Sequence, residues 1–593
     1  MTHPTGTGSS TIADLLPKAA AAYGDSSATS FKDGDTWKQQ SYQELLDEST
    51  AIGLGLIALG VAAGDRVCIL SNTRREWSLA DFAATRAGTI VVPIYQTNSP
   101  KECEWVLSNS GAVAVFVENA EQAAKIAEIR ADLPNLQHVI VLVGEAEGAT
   151  PLADLISAGA SVDPAELEAR TAAVKPEDPY TIMYTSGTTG MPKGCVLSHG
   201  NYRAIVDSSL EMGLVSTADS DENNVAYLFL PLAHSFARLI QLTVLDGGGV
   251  LAYFGGDTKA VIGEIQEVKP GLLPSVPRIF EKLYTVAVQM AGEETVAKAT
   301  DVGLKVNALR AAGQPIPAEL QAGYDELDGR LYGLVRGLFG GHLRRAITGA
   351  APLGLDVISF FTACGVPLMQ GYGMTETATA TSCCSPEANK LGSVGKPLPG
   401  VEVKLADDGE LLVHGNNVFQ GYWDNPEATA ETLEAGWLHT GDLAEIDDEG
   451  FITITGRKKD IIITAGGKNL TPANIEAELK LSPLISQAVM HGDRRPYPVA
   501  LITLDPETVP QWAEQQGLPA DLETLSQEPK VVEEVQRVLD TANSHYAPVE
   551  QIKKFKILPA DFSQETGELT PTLKVKRNVV EEKFSAELDA LYV

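Results

Sequence analysis

The sequence predicts an α/β protein. A large N-terminal domain of doubly wound mixed sheets, carrying a β-rich subdomain, is joined by a hinge to a small α+β C-terminal domain. Three observations lead there. From Gly64, short apolar runs alternate with amphipathic segments: R-V-C-I-L, a helical run from Trp77 to Ala87, T-I-V-V-P-I, a second from Lys101 to Ser108, A-V-A-V-F-V, and H-V-I-V-L-V. Buried strands spaced by helices form parallel sheets covered on both faces. From Glu402 the period shortens to two, through E-V-K-L, E-L-L-V and a hairpin A-E-I-D-D-E-G-F-I-T-I that turns at Gly450. Finally, 593 residues are too many for one core.

In chain order, a polar linker near Val174 to Asp178 is followed by expected strands at T-I-M-Y, V-A-Y-L-F-L, V-L-A-Y-F, A-I-T and P-L-M-Q. The text between Tyr284 and Gly340 is helical and charged, and reads as an insertion at about 285–340. The β-rich subdomain is expected at about 395–457. G-R-K-K-D-I-I-I-T then opens a new unit, continued by N-I-E-A-E-L-K-L, I-S-Q-A-V-M and P-V-A-L-I-T-L. The boundary is set near Lys459, giving domains 1–457 and 458–593. G-L-G-L-I-A at Gly53 matches a dinucleotide fingerprint loosely, but it lies within a helical run rather than after a strand, so helix packing is the better reading.

Composition removes several functions. A net charge of −33 argues against nucleic acid or an anionic membrane as the main partner, since both require a basic field. The six cysteines form no C-x-x-C pair, and M-T-H-P-T-G-T-G-S-S lacks a basic region followed by an apolar core. A reduced, cytoplasmic setting without a secretion signal is expected. No apolar window is long enough to span a bilayer, which leaves at most transient contact with a membrane surface. With neither H-E-x-x-H nor G-x-S-x-G present, zinc hydrolysis and serine acyl transfer lack their parts.

Y-T-S-G-T-T-G-M-P-K-G, from Tyr184 to Gly194, has the chemistry of a phosphate loop without the spacing of a Walker A loop. Pro192 precedes Lys193 where glycine is needed, and Gly194 follows where a hydroxyl should stand. Small residues at Ser186, Gly187, Thr188, Thr189 and Gly190 let backbone N–H groups reach an anion; Lys193 adds charge. Four further stretches accompany it. G-Y-G-M-T-E-T, with Gly371, Tyr372, Gly373, Thr375 and Glu376, follows an apolar strand, at the end where open α/β sheets bind ligands. T-G-A-A-P-L, with Gly349, Ala350 and Ala351, is another tight turn after a strand. W-L-H-T-G-D-L places Asp442 after a turn, and P-T-L-K-V-K-R places Lys574 in the small domain. Tyr372 suits a purine face, Thr375 a phosphate and Glu376 a magnesium ion.

In this order the motifs resemble the adenylate-forming family of acyl-CoA synthetases, luciferases and peptide-synthetase adenylation domains, from about Ser41 to Arg577. The resemblance implies ATP and CoA as co-substrates and Mg2+ as the metal. It implies that residues 184–194 cover the β- and γ-phosphates, Gly349 to Pro352 and Tyr372 frame adenine, and Asp442 and Arg457 hold ribose. Glu376, with Thr185, would bind the metal. Lys574 would bridge carboxylate and nucleotide, Lys459 would be the hinge, and Gly466 of the pair Gly466–Gly467 would line the pantetheine channel after the small domain rotates.

L-P-L-A-H-S-F-A-R, Leu230 to Arg238, has no acidic residue to pair with an amino-acid substrate, and His234 is expected at the acyl pocket, with a packed core histidine as the rival reading. Arg238 falls where some long-chain relatives carry a tryptophan gate. P-S-V-P-R-I-F-E-K-L-Y, Pro274 to Tyr284, resembles long-chain fatty-acid–CoA ligases most. The expected substrates are therefore a fatty acid, ATP and CoA. The alternatives are a fatty acyl-AMP ligase serving a carrier protein, an NTPase releasing orthophosphate, and a silent acyl-binding protein. The oligomeric state is open.

Overall fold

The computed structural model describes residues 6–185, 191–213, 224–465, 468–570 and 573–593. Among them, strands form two large sheets, of eight and nine strands, and three smaller ones. In the eight-stranded sheet Arg66–Leu70 lies between Ile90–Ile94 and Ala114–Val117, all parallel, and Pro179–Thr185 joins on the far side of Ile90–Ile94. The run R-V-C-I-L is buried almost throughout, as a strand covered on both faces must be. The nine-stranded sheet sets Leu272–Ser275, Arg345–Thr348 and Leu368–Tyr372 side by side in parallel register. Their carboxyl ends lie on one rim, and the candidate site is built there.

The N-terminal hairpin Ser27–Asp33 and Thr36–Ser41 extends that second sheet, with Ser27–Asp33 parallel to Val250–Tyr253. The β-rich part is the five-stranded sheet centred on Glu410–Gly415 and Trp437–Ile446. Beyond it, Ile485–His491, Val499–Leu504 and Lys554–Ile557 form a three-stranded sheet with its own apolar core. The charged text after Tyr284 is helical, in Pro277–Ala291, Glu293–Ala311, Ala318–Leu327 and Gly333–Leu338, around a separate cluster that includes Phe280, Phe339 and Phe361. The loose fingerprint at Gly53 is helix packing. Helix Tyr42–Ala58 crosses Leu152–Gly159 so closely that a methyl on Gly55 would lie 2.5 Å from the Leu155 carbonyl oxygen.

Two helices, Arg75–Arg86 and Ser235–Asp246, are buried on nearly every face, as elements inside a core must be. An ion pair inside the core joins them. The Arg238 guanidinium donates to Asp81 and, at 2.7 Å, to the Thr181 hydroxyl, and lies 4.4 Å from the centre of the Tyr180 ring. Asp81 also accepts from Gln241 and from the Tyr180 hydroxyl, each at 3.1 Å. Arg238 has no exposed surface. Arg238, expected at the acyl pocket, thus lies inside the core, with its two terminal nitrogens bonded to Thr181 and Asp81.

Removing one member of such a pair strands the other as an uncompensated buried charge, costing about 3–5 kcal/mol. Arg238→Ala should lower the denaturant midpoint of the large domain accordingly. An acyl-pocket role would instead leave that midpoint unchanged and alter the chain-length profile.

Candidate active site

The phosphate-loop motif is anchored by an antiparallel hairpin. Pro179–Thr185 pairs with Lys193–Ser198, and Thr185 faces Lys193 across the last rung. Ser186, Gly187, Thr188, Thr189 and Gly190 lie outside the described residues. Tyr184 at one end hydrogen-bonds Asn109 at 2.6 Å, and the Pro192 carbonyl at the other accepts from the Trp105 indole at 2.9 Å.

Beside this base stands Glu376. It follows strand Leu368–Tyr372 through a turn in which Gly373 is obligatory, because a side chain there would fall 1.9 Å from the Thr379 carbonyl oxygen. The Glu376 main-chain carbonyl accepts from the Phe419 N–H, and Asn417 donates to the Thr377 and Ala380 carbonyls. The segment Gly415–Phe419 thus clamps the turn. Glu376 itself is buried, and its carboxylate accepts a 2.8 Å hydrogen bond from the Tyr422 hydroxyl. The same tyrosine presents its ring to the Lys193 ammonium, 5.0 Å from the ring centre.

Cys195 lies between these groups, opposite Tyr422 in the ladder and 3.8 Å from the Thr185 hydroxyl. Burial, reinforced by Glu376, raises its thiol pKa well above the ordinary value, which disfavours the reactive thiolate. Thr185, Lys193 and Glu376, separate in sequence, therefore form one oxygen-rich group around Cys195 and Tyr422.

A second group lies along the adjoining strand ends. Gly349 and Ala350 follow Arg345–Thr348; Ala350 has φ 69°, a left-handed conformation that a non-glycine residue adopts at a cost. The neighbouring strand leads to Tyr372, whose hydroxyl donates to Asp442 at 2.6 Å. Arg457 donates to the other oxygen of Asp442 at 2.8 Å. Asp442 sits within strand Trp437–Ile446 directly opposite Arg457, rather than after a turn; Gly441, at φ 71°, is the local irregularity behind that expectation. Burial, then the neighbouring Asp442 charge, pushes the Tyr372 phenol well above its usual pKa.

Lys574 comes to this second group from the small domain. Its loop is closed by the bridge between Leu569 and Val575 and by mutual hydrogen bonds between Thr570 and Lys574, with Leu573 at φ 59°. The side chain keeps solvent access along the cleft, yet surrounding protein lowers its pKa to about 8, aided by the like charge of Arg457 and opposed by Asp442. His234 is half-buried and near enough to Lys574 to feel its charge. Its Nδ1 accepts from the Phe236 N–H at 3.2 Å at the start of helix Ser235–Asp246, and burial together with Lys574 lowers its pKa to about 4, so the ring is neutral. Gly466 and Gly467 lie outside the described residues. Lys459 is exposed on a short turn after Arg457.

The residue that sequence reasoning misses is Tyr422. It lies 46 positions from Glu376, and no local pattern in Q-G-Y-W-D marks it.

A strand–turn rim with these side chains is that of an enzyme that handles a nucleotide, and the chain belongs to the AMP-binding enzyme family: the family profile matches residues 16–423, and the AMP-binding enzyme C-terminal domain matches 459–593. It is 42% identical over 568 residues to the long-chain-fatty-acid–CoA ligase FadD15 of Mycobacterium tuberculosis, covering 94% of this chain and 92% of that one. It is 32% identical over 625 residues to the long-chain-fatty-acid–CoA ligase ACSBG2 of Xenopus laevis, covering 98% and 84%. Among solved structures, the adenylation domain of a Mycobacterium chelonae carboxylate reductase matches with TM-score 0.76 at 22% identity, covering 99% of this chain and 92% of that one. The anthranilate CoA ligase AuaEII, in complex with anthranoyl-AMP, matches with TM-score 0.73 at 21% identity, covering 98% of each. At those identities the structural likeness establishes the fold.

Tyr422→Phe keeps the ring under Lys193 and removes the bond to Glu376. Hydrogen bonds to charged groups contribute about 1.5–3 kcal/mol to stability, so the melting temperature should fall modestly, and carboxylate-dependent ATP–pyrophosphate exchange, measured well below it, should fall about tenfold or more.

Proposed function

We propose that the protein is a long-chain fatty-acid–CoA ligase that activates a fatty acid with ATP, releases pyrophosphate, and transfers the acyl group from the adenylate to CoA. The observation that carries this reading is the arrival of Lys574 beside Asp442, Arg457 and His234. On this reading a cation carried by the small domain stands where a carboxylate and a nucleotide meet. The names of the relatives support the long-chain acid and the thiol acceptor.

A carboxylate does not acylate a thiol directly, because the leaving group would be oxide. In the first step a carboxylate oxygen attacks the α-phosphorus of ATP and the bond to pyrophosphate breaks. In the second the CoA sulfur attacks the acyl carbon and AMP leaves, the thiol proton passing to solvent. Lys574 offsets the charge that builds as two anions are pressed together, while Lys193, steadied by Tyr422, balances the departing pyrophosphate. Asp442 exchanges its Tyr372 and Arg457 contacts for ribose hydroxyls, and Tyr372 lies against the base. Neutral His234 borders the carboxylate end of the acyl pocket. Lys459 is the hinge on which the small domain turns between the two steps, carrying Lys574 away and bringing Gly466 and Gly467 to the thiol.

Mg2+ suits the donors present. Glu376 and Thr185 are both oxygen donors, and among the described residues there is no group of three or more His, Cys, Asp or Glu side chains able to cage an ion. A cation there must take its remaining ligands from phosphates and water, as Mg2+ characteristically does. When bound, it supplies further neutralisation of phosphate charge.

All six cysteines are free and buried, in keeping with a reduced cytoplasmic setting. Among the described residues no helix is long and apolar enough to cross a membrane. Contact with membranes would be transient and at the surface, where long-chain acids reside.

An assay following pyrophosphate and CoA thiol together across a panel of acids tests the reading. Each buried CH₂ contributes about 0.8 kcal/mol, so kcat/KM should climb from acetate towards palmitate; a preference for short or aromatic acids would refute the long-chain assignment. Pyrophosphate release without thiol loss would indicate a carrier-protein acceptor. Lys574→Ala should cripple adenylate formation and leave thioester formation from supplied acyl-AMP nearly intact. In the wild type kcat/KM for adenylation should fall as pH rises through about 8, because Lys574 loses its proton there. Lys574→Ala should lack that alkaline limb.

A further inference from the structure

The small domain touches the large one at a second place, away from the cleft, where charges alternate across the boundary. Helix Pro277–Ala291 presents Arg278, Glu281 and Lys282. The segment after strand Val499–Leu504 presents Asp505 and Glu507, and Lys480 follows helix Pro472–Leu479. Arg278 donates to Asp505 at 2.8 Å, and Lys282 pairs with Glu507 at 2.9 Å. Glu281 is buried between Arg278, on its own helix, and the charge of Lys480 from the other side.

Asp505 divides its carboxylate. Oδ1 accepts from the N–H groups of Glu507 and Thr508, starting the next helix of the small domain, while Oδ2 faces Arg278. The first use belongs to the small domain in any orientation. The second exists only while the domains are placed as here, with Lys574 at the cleft.

We infer that Arg278 and Lys282 are positioning residues for the first half-reaction: with Asp505 and Glu507 they form an electrostatic clasp that holds Lys574 at the nucleotide site and must open before CoA reacts. The clasp rests on the two-step reading and on the hinge at Lys459. It is weak by construction. Arg278 is about one-third exposed, and Lys282 and Glu507 are more than half exposed. Pairs of that kind bias an equilibrium without locking it, and a domain that must leave on every turnover needs that property.

The test begins with wild-type protein, measuring palmitate-dependent ATP–pyrophosphate exchange and thioester formation from supplied palmitoyl-AMP. Both are run at about 0.1 M and about 1 M salt, between which the screening length falls from about 10 Å to about 3 Å. In the R278A/K282A protein, exchange should fall about three- to tenfold and lose most of its extra sensitivity to salt. Thioester formation should stay the same or rise. Asp505→Asn, which keeps an acceptor for the helix start and removes the charge facing Arg278, should act in the same direction.

Domain position is read independently of catalysis. The native cysteines are all buried, so spin labels at M290C and V532C, one exposed site in each domain, give a clean pulsed-EPR distance. The clasp variant should broaden or shift that distance. Equal loss in both half-reactions, no loss in either, or an unchanged distance distribution would overturn the clasp. If wild-type protein shows no exchange with any fatty acid, it is the functional reading that fails, and the EPR distances still decide the clasp.

Discussion

Two anions have to be brought within bonding distance inside a protein whose own net charge is −33. That constraint orders the rest of the structure. The protein's general field repels ATP and a carboxylate alike, so local cations must be delivered to the strand rim and their mutual repulsion offset there. Lys193 comes from the strand after the phosphate loop, Arg457 from the β-rich sheet and Lys574 from the small domain. Each is carried by a different element, and Asp442 and Glu376 are the fixed negative charges between them. The lowered pKa of Lys574, caused first by the surrounding protein and next by the like charge of Arg457, is the local sign of that crowding.

The two groups on the strand rim differ in how they are held. Around Tyr422, buried and half-buried side chains contact one another directly: a phenol on a carboxylate, an ammonium over a ring, a thiol raised far above its reactive range. Such a cluster is suited to steadying a leaving group that stays put. Around Asp442 the partners are separable, since Tyr372, Arg457 and the Lys574 loop reach it from three directions. That arrangement is suited to exchanging one set of contacts for another, as the proposed two-step mechanism requires. Deep in the core, by contrast, Arg238 and Asp81 are permanently committed, and their role is to fix the helices that support both sheets.

Much of this was legible in the sequence because the chemistry follows local pattern. R-V-C-I-L and its successors are buried strands, the period-two text after Glu402 is a β-rich sheet, and the glycine-rich turns at Gly349 and Gly371 stand at strand ends, where a ligand site belongs. What was not legible depends on long-range pairing. Asp81 and Arg238 are 157 positions apart, and a cationic side chain in L-A-H-S-F-A-R reads as a pocket residue until its partner is seen. Tyr422 acquires meaning only when its strand is laid beside Cys195. The polar hairpin S-A-T-S-F-K-D gives no apolar alternation, so its place beside Val250–Tyr253 is invisible beforehand. Leu272–Ser275 is hidden by Pro274, a residue that ordinarily argues against a central strand.

The central claim is that the carboxylate oxygen itself becomes bonded to the α-phosphorus before the thiol acts, and isotope transfer tests it most directly. Palmitate labelled with oxygen-18 in its carboxylate, incubated with the protein, ATP, magnesium and CoA, should yield AMP carrying one heavy oxygen by mass spectrometry, with pyrophosphate unlabelled. Heavy oxygen recovered in orthophosphate or pyrophosphate, or AMP that carries none, would contradict the account.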